Sequence, residues 1–351
     1  MSPIADPPLL RVSDLKVHFP LPRPHPFAPQ RTVHAVDGVS FSLPRRTTFG
    51  IVGESGSGKT TTALAVMQLI TATSGSIELD GTDLTTLRGE SLRRARRRFQ
   101  MIFQDPYSSL NPRTRVGDIV REPLDLMEVG APAERADRVT ELFRRVGLRP
   151  EQLALFPHQF SGGQRQRVGI ARALASRPDL IVCDEPVSAL DVAIQAQTLN
   201  LLVELQRDFG LSYLFISHDL RVVQYLCDQI AVMYLGRIVE LTDRNSLFAQ
   251  PLHPYTWALL SAVPGASGGS RQRVRLQGDP PSPIMLPRGC RFAGRCPFAE
   301  ERCRREEPQL RQVAGGRSVA CHLVTDGGEA PHHALPADAD SPVQGKAASA
   351  A

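Results

Sequence analysis

Gly53-Glu54-Ser55-Gly56-Ser57-Gly58-Lys59-Thr60 is the stretch on which the reading of this chain turns. It matches G-x-x-x-x-G-K-[ST], and its flanks suit that pattern. Phe49-Gly50-Ile51-Val52 before it is short and continuously apolar, as strands buried on both faces of a parallel sheet are. After it, the residue pattern predicts a helix from Thr60 to Ile70. Glycines let such a loop curl until successive backbone N–H groups point at phosphate oxygens, and the helix N-terminus adds positive partial charge. Lys59 is placed to reach the β- and γ-phosphates and the Thr60 hydroxyl to bind Mg²⁺. Thr61 is counted with the same loop.

A matching second half lies at Asp184-Glu185, which closes the apolar run Leu180-Ile181-Val182-Cys183. Ligands of open α/β sheets bind just beyond the C-terminal strand ends. Asp184 is expected to hold Mg²⁺, directly or through water, and Glu185 to polarise the attacking water as general base. Together these residues read as Mg-nucleotide hydrolysis.

The rest of the chain supports a three-layer α/β domain. Tyr213-Leu214-Phe215-Ile216 is a third buried run. Val139, Leu142, Phe143 and Val146 follow helical spacing, and another helix is expected from Asp191 to a stop at Gly210. Apolar alternation at Leu15, Val17 and Phe19, at Val39, Phe41 and Leu43, and at Ile77 and Leu79 predicts half-exposed antiparallel strands. Prolines at positions 20, 22, 24, 26 and 29 make the segment between the first two a loop. Three units are expected: 9–264 as the nucleotide domain, 265–324 as an extension entered through the linker Gly265–Ser270, and 325–351 as a disordered Ala/Pro/Gly/Asp/Ser tail.

Composition sets the outer bounds. The 351 residues, 42% hydrophobic and 22% charged, exclude collagen-like, disulfide-framework and wholly disordered chains. No apolar run approaches the ~18 residues that span a bilayer. Met1 to Leu10 lacks the basic start and apolar core of a signal peptide, so a cytoplasmic protein is expected. A net charge of +5 suits an anionic ligand or a membrane surface. Arg93-Arg94-Ala95-Arg96-Arg97-Arg98 reads as a solvated helix face, and Arg165 and Arg167 as solvated or interface charges.

Phe160-Ser161-Gly162-Gly163-Gln164 resembles the signature motif of ATP-binding-cassette (ABC) ATPases, and the other cassette motifs occur in order. Gln104 in Phe103-Gln104-Asp105-Pro106 matches the Q-loop, Ser188-Ala189-Leu190-Asp191 the D-loop, and His218 in Ile216-Ser217-His218-Asp219 the H-loop. The resemblance implies a P-loop NTPase of ABC ATPase type. Its parts are a RecA-like core, an antiparallel β subdomain, a helical subdomain at about 105–165 and a small Cys-containing C-terminal extension. It further implies a head-to-tail dimer with two ATPs at the interface. Ser161, Gly162, Gly163 and Gln164 would then meet the γ-phosphate bound by the opposite subunit. Gln104 is implied as the residue that senses Mg²⁺ and water, His218 as the γ-phosphate contact, and Phe19 as the ring that stacks on adenine. Arg45-Arg46-Thr47-Thr48 departs from the Gly-Glu that many members carry before the P-loop strand, so that turn is expected to be built differently.

Outside the core motifs the resemblance narrows. Gln104 to Pro112, Pro251 to Ala262, and Gly289-Cys290-Arg291-Phe292 through Arg295-Cys296-Pro297 to Val319-Ala320-Cys321-His322 are similar to the dipeptide/oligopeptide permease branch of bacterial importers, in its F-type member. That implies a heterodimer with a D-type ATPase subunit, two transmembrane permeases, an extracellular solute-binding protein, no nucleic-acid partner, and a peripheral place on the cytoplasmic side of the cell membrane. Relatives in this branch also import nickel chelates, glutathione and other small solutes. A soluble ABC ATPase acting on nucleic acid or ribosomes is the alternative class, and it lacks support from tandem cassettes, a coiled coil or a zinc finger. Cys290, Cys296, Cys303 and Cys321 show C-x5-C-x6-C-x17-C spacing, without the paired C-x2-C knuckles of common zinc sites. Four thiolates suit a [4Fe–4S] cluster, which some peptide-permease ATPases carry in this extension. Zinc, with His322 as a substitute ligand, and four unliganded thiols remain the alternatives.

Overall fold

Period-two alternation within the apolar strands decides where the core lies. The computed structural model describes residues 7–25, 27, 29–105, 107–262 and 278–334. In chain order its elements are β1 (Leu10–Pro20), β2 (Thr32–Leu43), β3 (Thr48–Val52), α1 (Lys59–Val66), β4 (Ser74–Leu79), β5 (Thr82–Asp83), α2 (Gly89–Arg96) and β6 (Phe99–Ile102). Then come α3 (Val116–Leu126), α4 (Arg135–Arg145), α5 (Gly162–Leu174), β7 (Leu180–Asp184), α6 (Val192–Phe209), β8 (Ser212–Ser217), α7 (Leu220–Leu226), β9 (Gln229–Tyr234) and β10 (Arg237–Asp243). The described chain closes with α8 (Arg244–Ala249), α9 (Pro254–Ser261), α10 (Glu301–Arg305), β11 (Arg311–Val313) and β12 (Arg317–Val319).

An eight-stranded sheet runs β11-β12-β10-β9-β3-β8-β7-β6. Strands β9, β3, β8, β7 and β6 are parallel, and β10, β12 and β11 continue the sheet antiparallel. Every residue of β3, β7 and β8 is buried, because helices or a second sheet cover both faces. Leu180, Val182, Leu214 and Ile216 enter one core, which they share with Phe49, Ile51, α1 and the antiparallel sheet β2-β1-β4-β5. Ile181, Cys183, Tyr213 and Phe215 enter the other, against the helices from α3 to α7. Phe41 of β2 stacks on Phe49 of β3 at 4.7 Å, joining the two sheets.

Local chemistry sets the helix ends. The Asp191 carboxylate accepts from the Ile194 amide at 3.0 Å to start α6, and Gly210 ends it in the left-handed region at φ 66°. Helix α1 stops at Val66, short of the expected Ile70: Gln68 turns left-handed at φ 53° and the Leu69 amide donates to the Leu64 carbonyl. In the turn before β3, Arg46 stands at φ 59° with its amide on the Ser212 hydroxyl, so an arginine occupies a conformation that glycine adopts without strain. Helix α2 buries none of its residues, as the arginine run predicts, and Arg93 and Arg94 pair with Glu90 on its own surface.

Among its described residues the extension is mostly loops and turns, and its one hairpin joins the main sheet, where β12 pairs with β10 and β11 with β12. One expectation is corrected, because order is not lost at residue 325: Ala330 and His332 are buried, and His332 stacks on Trp257 at 4.9 Å with its Nε2 on the Pro251 carbonyl. Low apolar content over the whole tail conceals these few anchoring side chains. The linker 265–270 and residues 335–351 lie outside the described residues.

One buried ion pair marks the join between extension and core. Glu240 of β10 is 0% exposed; its two oxygens accept from the Leu252 and His253 amides at 2.8 Å, and Arg317 of β12 lies 3.2 Å away. Burial pushes the Glu240 carboxyl up, against the pull of those hydrogen bonds and of Arg317. Glu240→Ala leaves the Arg317 guanidinium buried without its carboxylate and should cost about 3–5 kcal/mol, read from the urea midpoint. Arg302→Ala, in the exposed Arg302–Glu306 pair, should leave that midpoint in place. Indistinguishable midpoints for the two variants would place the β11–β12 hairpin outside the cooperative unit.

Candidate active site

The loop between β3 and α1 is shaped by what its glycines approach. Gly58, at φ 104°, lies so close to β2 that a Cβ there would stand 2.2 Å from the Ala35 carbonyl oxygen. A Cβ on Gly53 would stand 2.1 Å from the Met233 carbonyl oxygen of β9. The loop is therefore held between two strands of different sheets with no room for a side chain at either end. Lys59 is buried, and its Nζ donates to the Gly53 and Glu54 carbonyls at 2.8 Å, closing the loop on itself. Burial lowers the Lys59 pKa, while the charges of Glu185, Asp184 and Glu54 oppose that shift.

Opposite the loop stand the carboxylates at the end of β7. Thr60 Oγ1 donates to Asp184 Oδ1 at 3.1 Å, which brings the two proposed Mg²⁺ ligands together. Burial, with the neighbouring Glu185 charge, raises the Asp184 pKa against the Thr60 hydrogen bond. Glu185 sits at φ 46°, a left-handed conformation that costs a non-glycine residue of order 1–3 kcal/mol and tends to mark functional positions. Its oxygens are held from two sides: Gln104 Nε2 donates to Oε2 at 3.0 Å, and His218 Nδ1 lies 2.9 Å from Oε1. Residues 81 and 33 positions away along the chain thus converge on one carboxylate.

These side chains border a cleft of about 690 Å³. Ser55, Gly56, Gly58, Lys59, Thr60, Thr61, Gln104, Glu185 and His218 line it, and Val33, Ala35 and Pro283 complete the wall. Gly53, Ser57 and Asp184 do not border the cleft, though the Gly53 carbonyl accepts from Lys59 and the Asp184 carboxylate from Thr60. Glu54 does not offer its amide to the cleft, since that N–H donates to the Tyr255 hydroxyl at 2.9 Å. Phe19 is not among the lining residues. It pairs across the ladder with Val33, which is, and the ring stays 42% exposed. Pro283 was not legible as a site residue: it arrives from the extension, where its carbonyl accepts from the His34 amide at 3.0 Å, and no local pattern announces that contact.

The signature residues stand apart from this cleft. Ser161 caps α5, its hydroxyl accepting from the Gln164 amide while Gln164 Oε1 accepts from the Ser161 amide. Gly162 and Gly163 follow in the first turn, and a Cβ on Gly163 would meet Ile194 of α6 at 2.5 Å. Asp191 is engaged as the α6 cap. Arg165 lies over the Tyr107 ring at 3.9 Å and donates to the Pro157 carbonyl, and Arg167 donates to the Val146 carbonyl. Both arginines are held within the helical region.

The four extension cysteines converge. Cys290, Cys296, Cys303 and Cys321, with His322, line one small cavity, and none is in a disulfide. Burial pushes the Cys290 thiol up to about 11 and that of Cys296 to about 12. Among the described residues, no three of these sulfurs lie within 4.8 Å of one another.

Comparison with known proteins follows the same outline. Residues 36–188 match the ABC transporter family, and residues 239–303 the C-terminal region of oligopeptide/dipeptide transporters. A probable peptide ABC transporter ATP-binding protein of Sinorhizobium fredii is 50% identical over 316 residues, covering 90% of each chain. An oligopeptide transport ATP-binding protein of Bacillus subtilis is 49% identical over 321 residues, 90% of this chain and 98% of that one. The chain belongs to the ATP-binding proteins of ABC transporters. Solved cassettes share its fold. A dimeric ATP-binding cassette in a post-hydrolysis state with ADP and Pi superposes with TM-score 0.60 at 26% identity, covering 67% of this chain and 98% of its own. A cassette of a Clostridium perfringens ABC transporter complex gives 0.59 at 26% identity, with 69% and 91% covered. No helix among the described residues of the cassette is long and apolar enough to cross a membrane.

The glycine geometry predicts a graded pair of variants. Gly56→Ala meets open space and bears only its φ of 76°, a cost of about 1–2 kcal/mol. Gly58→Ala adds a collision with the Ala35 backbone. In a titration with Mg-ATP, Gly56→Ala should bind measurably and Gly58→Ala should not; equal affinities would refute this account of the loop.

Proposed function

We propose that the cassette hydrolyses ATP to drive import of dipeptides or oligopeptides across a bacterial cytoplasmic membrane. In this reading it lies on the inner face, pairs with a D-type cassette, and serves two permeases and an extracellular binding protein. The observation that carries the chemistry is Glu185, held by Gln104 and His218 opposite an intact phosphate loop. Support for the cargo class comes from the oligopeptide/dipeptide region at residues 239–303 and from relatives named for peptide transport.

Residue roles follow from position. The amides and Lys59 cradle the phosphates, and Thr60 and Asp184 are the groups that would hold Mg²⁺, which neutralises charge on the phosphoryl oxygens when bound. Each Glu185 oxygen keeps a free lone-pair direction in which to accept the proton of an attacking water. His218 and Gln104 fix that carboxylate's orientation, so its base strength is aimed before nucleotide arrives. Ser161 to Gln164 head a helix whose amides would complete the partner's site, and Phe19 is the candidate for the base. Little covalent chemistry falls to the protein beyond positioning and charge stabilisation.

The four thiols are the proposed ligands of an iron–sulfur cluster. Four thiols lining one cavity support that reading, since four thiolates are the usual ligand set of such a cluster. Such a cluster would cross-link a short segment of chain and stabilise it. Protein purified anaerobically should contain iron and sulfide; zinc in their place, or neither, discards the cluster.

Glu185→Gln keeps the shape and loses the base. Turnover should fall by roughly 100- to 10,000-fold while ATP binding persists and holds the cassette pair closed, as seen by gel filtration. Captured from membranes in ATP, this variant should bring down two multi-spanning permeases and a second cassette. Ribosomal or DNA-bound partners without a permease would replace the importer reading with a soluble one.

A further inference from the structure

Glu54 is an odd residue to find in an anion site. It occupies the second position of the phosphate loop, where an unneutralised carboxylate would repel the phosphates that the loop amides attract. Its charge acts within the site, since it is one of those felt at Lys59. The structure answers this charge from far away in sequence. Arg295 Nη1 and Nη2 donate to Glu54 Oε2 and Oε1 at 2.8 and 3.2 Å, a two-pronged pair with the guanidinium nearly buried. Arg295 lies over the Tyr234 ring at 5.9 Å, and the Tyr255 hydroxyl takes the Glu54 amide. Tyr234, Tyr255 and Phe292 pack as one aromatic group beneath these contacts. Arg295 thus arrives on a platform that fixes where its charge falls.

We propose that Arg295 is a positioning residue for nucleotide binding: from the loop that bears Cys290 and Cys296, it neutralises Glu54 and holds that carboxylate away from the phosphates. The arginine itself does not border the cleft, so it acts through Glu54 and not on the ligand. The reading rests on the ATP chemistry of the loop, and not on the cargo or on what the four thiols bind. A purely architectural pair is the competing account, in which Arg295 merely ties the extension to the core. The two differ in how the binding deficit relates to stability and to salt. If the pair is architectural, Arg295→Gln lowers the melting temperature and the deficit follows that loss at every salt concentration. If Arg295 cancels a charge, the deficit appears in protein that melts near the parent's temperature and shrinks as salt rises.

The test uses the full-length chain, a fluorescent ATP analogue with Mg²⁺, and a melting temperature for every variant. Arg295→Gln should weaken nucleotide binding by roughly three- to tenfold, with the deficit shrinking as salt rises. Adding Glu54→Gln to it should return affinity to within about twofold of the parent, because no uncompensated charge is left. Arg295→Lys, which keeps the charge and gives up the fork, should stay within about twofold and guards against a Gln variant that does not fold. A double variant as weak as Arg295→Gln alone, a Lys variant as weak as the Gln variant, or an Arg295→Gln affinity equal to the parent's would each overturn the proposal. The Mg-ATP turnover of the Glu185→Gln cassette bears on the base and not on this pair, so the two readings fail separately.

Discussion

The structure hangs on a loop pinned at both ends. Gly53 rests against the Met233 carbonyl of β9 and Gly58 against the Ala35 carbonyl of β2, so neither end can move without shifting a sheet. Lys59 then ties the loop internally through the Gly53 and Glu54 carbonyls. Because β9, β3 and β8 are consecutive in the parallel sheet, pinning the loop also sets its distance from β7, where Asp184 and Glu185 stand. The Thr60–Asp184 hydrogen bond at 3.1 Å is the visible product of that spacing. A site meant to bind a highly charged ligand is in this way assembled before the ligand comes, and little reorganisation is left for the moment of reaction.

Much of the architecture was legible because burial on both faces leaves an unbroken apolar run. Phe49–Val52, Leu180–Cys183 and Tyr213–Ile216 all became strands of the parallel sheet for that reason. The α6 boundaries were legible because Asp191 and Gly210 are a cap and a stop in chemical terms. Strands β11 and β12 were not. Arg311-Gln312-Val313 and Arg317-Ser318-Val319 are three residues each and carry no alternation to read, and they are strands only because β10 offers them an edge. In the site, Gln104, His218 and Glu185 were named from motif order, and the geometry unites them. Pro283, Tyr255 and Arg295 were beyond reach. The last two meet Glu54 across 201 and 241 positions, and a contact of that span leaves no periodicity behind.

The cassette's own polar chemistry is divided in two. One set of groups surrounds the cleft; the other, at Ser161 to Gln164, is occupied in capping α5 and does not line that cleft. Ser161 and Gln164 satisfy one another, which leaves the remaining first-turn amides of α5 without a helical partner, as in any helix. Those amides are an asset only if an anion arrives from outside. The helix start is thus stable alone, and its unpaired amides remain available to an anion.

The hairpin β11–β12 has a further consequence, for the behaviour of the chain in solution. An exposed strand edge is a template on which other chains can pair. Without the hairpin, β10 would end the large sheet with the mostly buried sequence Arg237-Ile-Val-Glu-Leu-Thr-Asp243 bare along one side. With it, the border is β11, three residues long and opened by an arginine. The cysteine-bearing extension therefore covers the middle of the β10 edge, at Glu240 and Leu241, and moves the border of the sheet there to a strand too short to offer much pairing.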